Sequence, residues 1–388
     1  MKSALIVGGS NGIGLSVALQ LCHQREFVYI VDRVSPKIEV PSNIIFLQEN
    51  LLLTDFQWLD NLAGIDTLFY SAGFGRVSPF ETLECKEIDN CFTVNTISAF
   101  KIIKHFMPQL KAAEPFYCGI MVSIAARIAS PLFSIYSATK AALFRGIEAI
   151  NSELRMSGSQ NRILEISPGS IKGTSFNGGA TDLNQTKNLA KGIIDSMKSH
   201  NTLLIPEYDA IFKDVIRRYN ESPELFADES YLYKINGNRL QKKKQLKVGY
   251  LSGTFDLFHI GHLNLLRKAR EYCDFLVVGV HKDASHKGKT TFIPFDERKS
   301  IVASVKYVDK VIESEKEDVD IYKKGIVKYD YLFVGSDYKG SERFNKYEDY
   351  FSDKDVKIIY FPYTKGTSST QLRSAIDNTP HNKPTNKG

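Results

Sequence analysis

The sequence predicts an α/β protein made of two consecutive parallel-sheet domains, each a layered strand–helix fold. Three observations predict it. Short apolar runs alternate with helical patterns along most of the chain, as expected for parallel strands joined by crossover helices. Two of those runs end in a glycine-containing turn that opens directly into a helix, at residues 8–14 and 251–262. Between them lies a polar stretch, Asn236-Gly237-Asn238 followed by the lysines at 242–244, which reads as a boundary. The expected division is a first domain over 1–235, a linker over 236–246, a second domain over 247–377 and a flexible tail over 378–388.

Composition narrows the function classes. The chain has 388 residues, 43% hydrophobic and 24% charged, which is ordinary for globular domains and enough for two cores. A net charge of +6 suits phosphorylated substrates without requiring them. No basic stripe interleaved with aromatics appears, so nucleic acid is not an expected partner. Cysteines at 22, 85, 91, 118 and 273 form no CxxC pair, which argues against zinc and points to a reducing compartment. No metal site is expected in the protein itself. No apolar run approaches the roughly 18 residues of a membrane span. The apolar N-terminus runs straight into a glycine turn and reads as a strand, not a signal peptide. The expected location is cytoplasmic.

In the first half, an apolar run at 4–7 leads into Gly8-Gly9-Ser10-Asn11-Gly12-Ile13-Gly14, and Ile13, Val17 and Leu21 continue at helical spacing. Strand, glycine turn and helix is the context in which backbone N–H groups hold a pyrophosphate. A Rossmann-type doubly wound sheet is therefore expected, with Gly8, Ser10, Asn11, Gly12, Ile13 and Gly14 at a dinucleotide. The next run, 27–31, ends at Asp32, whose carboxylate can accept from the adenosine ribose and would repel a 2′-phosphate. That favours NAD(H) over NADP(H), with Arg33 acting the other way. Further strand-like runs lie at 44–47 (then Asn50-Leu51), at 68–70 (then Ser71-Ala72-Gly73) and at 120–123. Asn95, the run Tyr136-Ser137-Ala138-Thr139-Lys140, Pro168-Gly169 and Thr174 complete the notable positions.

Tyr136-x-x-x-Lys140 with Ser123 13 residues upstream resembles the short-chain dehydrogenase/reductase family, over roughly 1–200. On an arbitrary helix a Tyr-x-x-x-Lys pair is most often a solvated surface pair. Here the glycine turn, Asn95 and Pro168-Gly169 accompany it in family order. The resemblance implies that Tyr136 donates a proton to a carbonyl being reduced. Lys140 lowers the phenol pKa and holds the nicotinamide ribose, Ser123 binds the substrate oxygen, and Asn95 completes a water-linked relay. Asn50, Leu51, Ala72, Gly73, Pro168, Gly169 and Thr174 would line the cofactor. Two positions depart from the pattern. Ser71 stands where the family has asparagine. The usual Asn-x-Ser-Ser run is Ser123-Ile124-Ala125-Ala126; ungapped spacing selects Ser123, and a gapped one would put Ala126 there. Residues 174–190 are the expected lid. Helical patterns over 206–235 would cap the substrate pocket or form an oligomer contact.

In the second half, a run at 248–251 precedes Gly253, Thr254, Phe255 and the pair His259-Ile260-Gly261-His262. Leu263, Leu265, Leu266 and Ala269 follow at helical spacing. Strand-like runs recur at 275–280, 308–311, 331–334 and 358–361. The turn at 251–262, Lys287-Gly288-Lys289, Glu297-Arg298-Lys299, Gly335-Ser336-Asp337-Tyr338 and the stretch 365–370 together resemble the glycerol-3-phosphate cytidylyltransferase family, over roughly 247–377. This implies a Rossmann-like nucleotidyltransferase α/β domain that takes CTP, with Mg2+ accompanying the triphosphate. His259, His262 and Lys289 would stabilise charge in the transition state. Gly253, Thr254, Phe255, Lys287, Arg298, Gly335, Asp337, Thr364, Ser368 and Ser369 would bind CTP or the acceptor. Asp256 reads as structural. Tyr363 replaces the family arginine, which puts the acceptor's identity in question.

A reductase joined to a cytidylyltransferase implies consecutive steps. A phosphorylated ketose, with ribulose 5-phosphate leading, would be reduced to a polyol phosphate and activated as a CDP-polyol, with CDP-ribitol leading; the alternative is CDP-glycerol or another CDP-polyol, with the reductase domain acting on another substrate or serving only as a dimerisation scaffold. Capsule or teichoic-acid-like polymers use such donors. A homodimer or homotetramer is expected.

Overall fold

The computed structural model describes residues 2–174, 176, 180–241, 246–283, 290–362 and 371–372. The chain divides into two compact units, Met1–Lys242 and Lys243–Gly388.

The first unit contains β1 (Ser3–Val7), α1 (Gly12–Leu21), β2 (Phe27–Asp32), β3 (Ile44–Gln48), β4 (Ile65–Tyr70), α2 (Cys85–Phe92), α3 (Ser98–His105), α4 (Met107–Lys111), β5 (Tyr117–Met121), α5 (Ser134–Met156), β6 (Ile163–Ile166), α6 (Leu183–Lys198), β7 (Leu203–Leu204), α7 (Lys213–Glu221) and α8 (Pro223–Asn236). Its strands form one parallel sheet in the order β3-β2-β1-β4-β5-β6-β7. Alternate residues of β1 serve opposite cores: Leu5 and Val7 join one cluster, Ala4 and Ile6 the other. A strand buried on both faces reads as a continuous apolar run for this reason. The order reverses between β1 and β4, and open α/β sheets bind ligands beyond the carboxyl ends of the strands at such a reversal.

Three local expectations change. Strand β6 escapes notice in the sequence because Glu165 interrupts its apolar run. The carboxylate is buried there against Arg127 Nη2, at 2.7 Å from both oxygens. The expected lid over 174–190 is shorter, because its end belongs to α6. Thr186 and Ala190 are fully buried in that helix, and Ser16 and Thr186 hydroxyls meet at 2.5 Å between α1 and α6. Third, part of the expected linker is fastened to the first unit: Arg239 N–H donates to Lys234 O at 2.9 Å and Gln241 N–H to Val77 O at 2.8 Å. Residues 242–245 and the expected tail lie outside the described residues.

The second unit contains β8 (Val248–Gly253), α9 (Ile260–Tyr272), β9 (Phe275–Val280), α10 (Phe295–Ala303), β10 (Lys310–Glu313), α11 (Asp318–Lys323), β11 (Tyr331–Gly335), α12 (Glu342–Phe351) and β12 (Lys357–Phe361). Its sheet is again parallel, in the order β10-β9-β8-β11-β12. Tyr250 faces one core and Leu251 the other, and the order reverses beside β8. Strand β10 starts two residues later than its apolar run, after Asp309 accepts from Leu276 N–H at 2.9 Å and faces Arg270 at 3.4 Å. Among the described residues no helix is long and apolar enough to cross a membrane. The five cysteines are free, and all but Cys85 are buried.

Candidate active sites

In the first unit, the glycine turn carries φ of 83° at Gly8 and 53° at Gly12, conformations that side chains disfavour. A Cβ on Gly8 would lie 2.5 Å from Ala72 N, so the turn passes tightly over the end of β4. Ser71, the departure from the family asparagine, ties those strand ends: its hydroxyl donates to Gly8 O at 3.0 Å and Val7 O at 3.2 Å. Asp32 accepts from Ser10 N–H at 3.2 Å and Arg33 N–H at 2.7 Å, so the carboxylate also shapes the turn. Asn11 takes the N-cap position of α1, and Ile13 is buried in the core. Asn50 accepts from Leu52 N–H at 3.1 Å and sets the turn at buried Leu51. Gly12 N–H donates to Thr181 Oγ1 at 3.3 Å, and Thr174 packs over Gly12. The Ser10 hydroxyl is buried without a hydrogen-bond partner. A buried orphan hydroxyl in a turn stripped of side chains fits a dinucleotide, whose phosphates supply acceptors.

Beyond β4 and β5 the expected catalytic residues come together. Asn95 is fully buried in a π-helical turn, Thr93–Ile97. Such turns often mark functional positions. Its Oδ1 accepts from Phe74 N–H at 3.0 Å, and its Nδ2 donates to Phe74 O at 2.8 Å and Thr139 Oγ1 at 3.0 Å. The amide thus pins the loop after Gly73 to α5. Ser123 caps the short turn Ile124–Ala126, accepting from Ala125 N–H at 3.2 Å. Ile124 N–H donates to Pro168 O at 3.0 Å, so the exits of β5 and β6 are joined, and Gly169 lies against the Phe212 ring. Ser123 stands near enough to Tyr136 to lower its phenol pKa, so the ungapped assignment puts a hydroxyl on the phenol's side of the site.

The electrostatics correct one expectation. The Tyr136 phenol is raised above its ordinary value: burial outweighs the lowering by Ser123, and Lys140 is not among the causes. The reason is geometric. Lys140 Nζ lies 5.8 Å from the Tyr136 ring centroid and donates to Met121 O at 2.7 Å. Burial in turn depresses Lys140 to about 8. Tyr136 stacks on Phe133 with centroids 4.3 Å apart and meets Phe176 at 5.2 Å.

In the second unit, the turn after β8 holds Phe255 at φ 52° and Leu257 at φ 50°. Two non-glycine residues in the left-handed region cost about 1–3 kcal/mol each, and surrounding bonds must impose them. Asp256, between them, is buried and accepts from Phe292 N–H at 3.1 Å and Ile293 N–H at 3.0 Å. Arg298 was expected among the substrate-binding residues. Instead it is fully buried: it donates from Nε to Ile293 O at 2.9 Å, from Nη1 to Thr254 O at 2.5 Å and His281 O at 2.9 Å, and from Nη2 to Lys282 O at 2.8 Å. Four carbonyls from three segments take four of the guanidinium's five N–H groups, so it is turned inward and frames the turn.

His259 is the N-cap of α9 and His262 the third residue of that helix. His259 Nδ1 accepts from Gly261 N–H at 3.0 Å, and His262 Nδ1 accepts from His259 N–H at 3.3 Å. A neutral imidazole that accepts at Nδ1 carries its proton on Nε2. Both rings, 4.1 Å apart, therefore present Nε2–H donors at a helix N-terminus. Burial lowers the His259 pKa, which keeps that ring neutral. The Thr254 hydroxyl is buried without a partner beside Gly253, which again fits a polyphosphate ligand. Asp337 is exposed on the turn after β11, against Gly335. Lys287, Lys289, Tyr363, Thr364, Ser368 and Ser369 lie outside the described residues. Among the described residues no group of three or more His, Cys, Asp or Glu could hold a metal ion.

Sequence reasoning missed Phe133 and Phe176, which pack against Tyr136, and Thr181, which accepts from Gly12 N–H. Phe176 and Thr181 fall in the expected lid, but nothing local marks their partners.

A family model described as short chain dehydrogenase matches residues 2–185, and one described as cytidylyltransferase-like matches residues 250–375. Glycerol-3-phosphate cytidylyltransferase of Staphylococcus aureus is 35% identical over 130 residues, covering 32% of this chain and 90% of that protein. The Bacillus subtilis enzyme of the same name is 34% identical over 129 residues, covering 32% of this chain and 92% of that protein. A short-chain dehydrogenase structure from Streptomyces avermitilis is similar with a TM-score of 0.49 at 19% identity, covering 61% of this chain and 97% of that one. The chain thus joins two enzyme families: residues 2–185 are a short-chain dehydrogenase domain, and residues 250–375 belong to the cytidylyltransferase-like family that includes the glycerol-3-phosphate cytidylyltransferases.

Proposed function

We propose that the chain makes a CDP-polyol in two steps: reduction of a phosphorylated ketose with NAD(P)H, then transfer of CMP from CTP to the resulting polyol phosphate. The observation that carries this reading is the presence, on one chain, of the Ser123–Tyr136–Lys140 constellation and the His259–His262 pair. The leading substrate is ribulose 5-phosphate, giving ribitol 5-phosphate and CDP-ribitol for a cell-surface polymer.

Reducing a ketone leaves charge on oxygen, and a proton donor must stand beside it. Tyr136 is that donor, since burial holds its phenol protonated. A dinucleotide held at the glycine turn would supply the hydride. Ser123 orients the carbonyl oxygen, and Lys140 places a cation near the phenol and the ribose. Asn95 holds the Phe74 loop over the site. Gly8, Gly12 and Gly14 admit the pyrophosphate, and Asp32 favours the unphosphorylated ribose of NAD(H).

In the second step an oxygen of the polyol phosphate attacks the α-phosphorus of CTP. A new P–O bond forms, the bond to the β-phosphate breaks, and pyrophosphate leaves. The nucleophile is already an anion, so no base is required. His259 and His262 act as donors to the phosphoryl oxygens through Nε2–H, with backbone N–H groups near Thr254 and Phe255. Lys289 and Lys287, with Ser368 and Ser369, complete the phosphate contacts in this reading, and Mg2+ enters with CTP.

The test is direct. Purified protein given ribulose 5-phosphate, NADH or NADPH, and CTP is expected to release pyrophosphate and form CDP-ribitol, read by mass spectrometry. If no phosphoketose in a panel consumes NAD(P)H, the coupled reading fails. The names of the curated relatives favour glycerol 3-phosphate as acceptor and CDP-glycerol as product, whereas Tyr363 in place of the family arginine favours a different acceptor. The same assay with glycerol 3-phosphate and CTP decides between them.

A further inference from the structure

We propose that Lys234 is a positioning residue for the reduction step: from α8 it fixes the loop that carries Phe133, and through Phe133 the ring of Tyr136. This rests on the reductase reading above. Lys234 is only 7% exposed, and its ammonium donates to Ser130 Oγ at 2.9 Å, Pro131 O at 2.7 Å and Ser230 Oγ at 3.2 Å. An ammonium has three N–H groups, and all three are used. No carboxylate is among these partners. A buried cation with no carboxylate partner among the described residues is costly, and burial together with nearby Arg239 depresses its pKa to about 8. An apolar residue would avoid that cost, so the polar contacts have to matter.

What they hold is the wall of the site. The loop from Ser130 to Phe133 includes Leu132 at φ 63°, a conformation uncommon for leucine. Lys234 grips the carbonyl before Leu132, and Ser78 N–H donates to the Leu132 carbonyl at 2.7 Å. The next residue, Phe133, stacks on Tyr136 at 4.3 Å with planes 18° apart. The opposing loop is fastened from the same direction. Val77 O accepts from Gln241 N–H at 2.8 Å, and Gly75 lies so close that a Cβ there would stand 2.7 Å from the Tyr136 side chain. Residues 234–241, far along the chain from the catalytic motif, thus secure both loops that flank the phenol.

The experiment uses the full chain and follows NAD(P)H oxidation with the phosphoketose it reduces, CMP transfer in the same preparation, and dinucleotide affinity by fluorescence. Lys234→Met is expected to lower kcat of reduction on the order of tenfold or more, leaving dinucleotide affinity and CMP transfer unchanged. Ser130→Ala is expected to lower kcat less, and the double variant to be no worse than Lys234→Met alone, because Lys234→Met already removes the Ser130 contact along with two others. Lys234→Arg is expected to restore part of the rate. An unchanged kcat in Lys234→Met overturns the proposal. So does a parallel loss of dinucleotide affinity and thermal stability with kcat intact in the folded fraction, which marks a merely structural lysine. A wild-type chain that oxidises NAD(P)H with no phosphoketose overturns the functional reading beneath it.

Discussion

The two units solve the same problem, placing polar groups beyond the carboxyl ends of a parallel sheet, by opposite physical means. In the first, the reacting groups are buried: Tyr136 and Lys140 are 8% and 2% exposed, and desolvation sets their protonation. In the second, the histidines are only partly buried at a helix N-terminus, and backbone N–H groups choose their tautomer. The difference follows the chemistry. Proton donation needs a group whose pKa the surroundings control. Phosphoryl transfer needs donors aimed at accumulating charge, and those work at a wet entrance.

The contrast is broken most strongly by removing one site at a time. Tyr136→Phe is expected to reduce NAD(P)H oxidation by about 10²–10⁴-fold and to leave CMP transfer intact. Loss of both activities would tie the units together. His262→Ala is expected to cost CMP transfer about 10²–10³-fold while reduction continues unchanged.

A smaller effect separates framing from ligand contact. Arg298→Met removes four hydrogen bonds to carbonyls, which should cost the second unit about 3 kcal/mol or more. CMP transfer should then be lost to heating at a lower temperature while reduction keeps its inactivation temperature. A variant of wild-type thermal stability with raised KM for CTP would restore the ligand role first expected.

The pH dependence is subtler. Lys140 is depressed to about 8, so its charge is present below that value and lost as pH rises through it. Reduction should decline over that interval and CMP transfer should not share the limb. Lys234→Met should retain it if Lys140 is the titrating group. Smallest of all, nitrogen NMR of His259 and His262 should report Nε2–H tautomers at neutral pH. An Nδ1–H signal on either ring would contradict the capping geometry.

Much of this was legible along the chain. The glycine turn at 8–14 and the histidine turn at 251–262 announced strand–turn–helix units, and Tyr136 and Lys140, paired by their spacing, share one helix with Lys140 Nζ 5.8 Å from the Tyr136 ring centroid. Other residues misled. Glu165 hid a strand because its neutralising partner, Arg127, lies 38 positions away. Arg298 carried the residue type of a phosphate ligand, yet its partners Thr254, His281, Lys282 and Ile293 turn it inward.

The sequence by itself determined the division into two strand–helix halves, the turn that opens each half, and the spacing that singles out the side chains proposed to react. Those features are written in local periodicity and spacing, which neighbours along the chain enforce. Only the tertiary structure decided the state of each group: Tyr136 held protonated, Lys140 depressed, both histidines capped at Nδ1, Arg298 turned inward, and Lys234 fastened to a loop more than a hundred residues earlier. Desolvation and hydrogen-bond partners come from whatever elements the fold packs together, and no spacing along the chain records them.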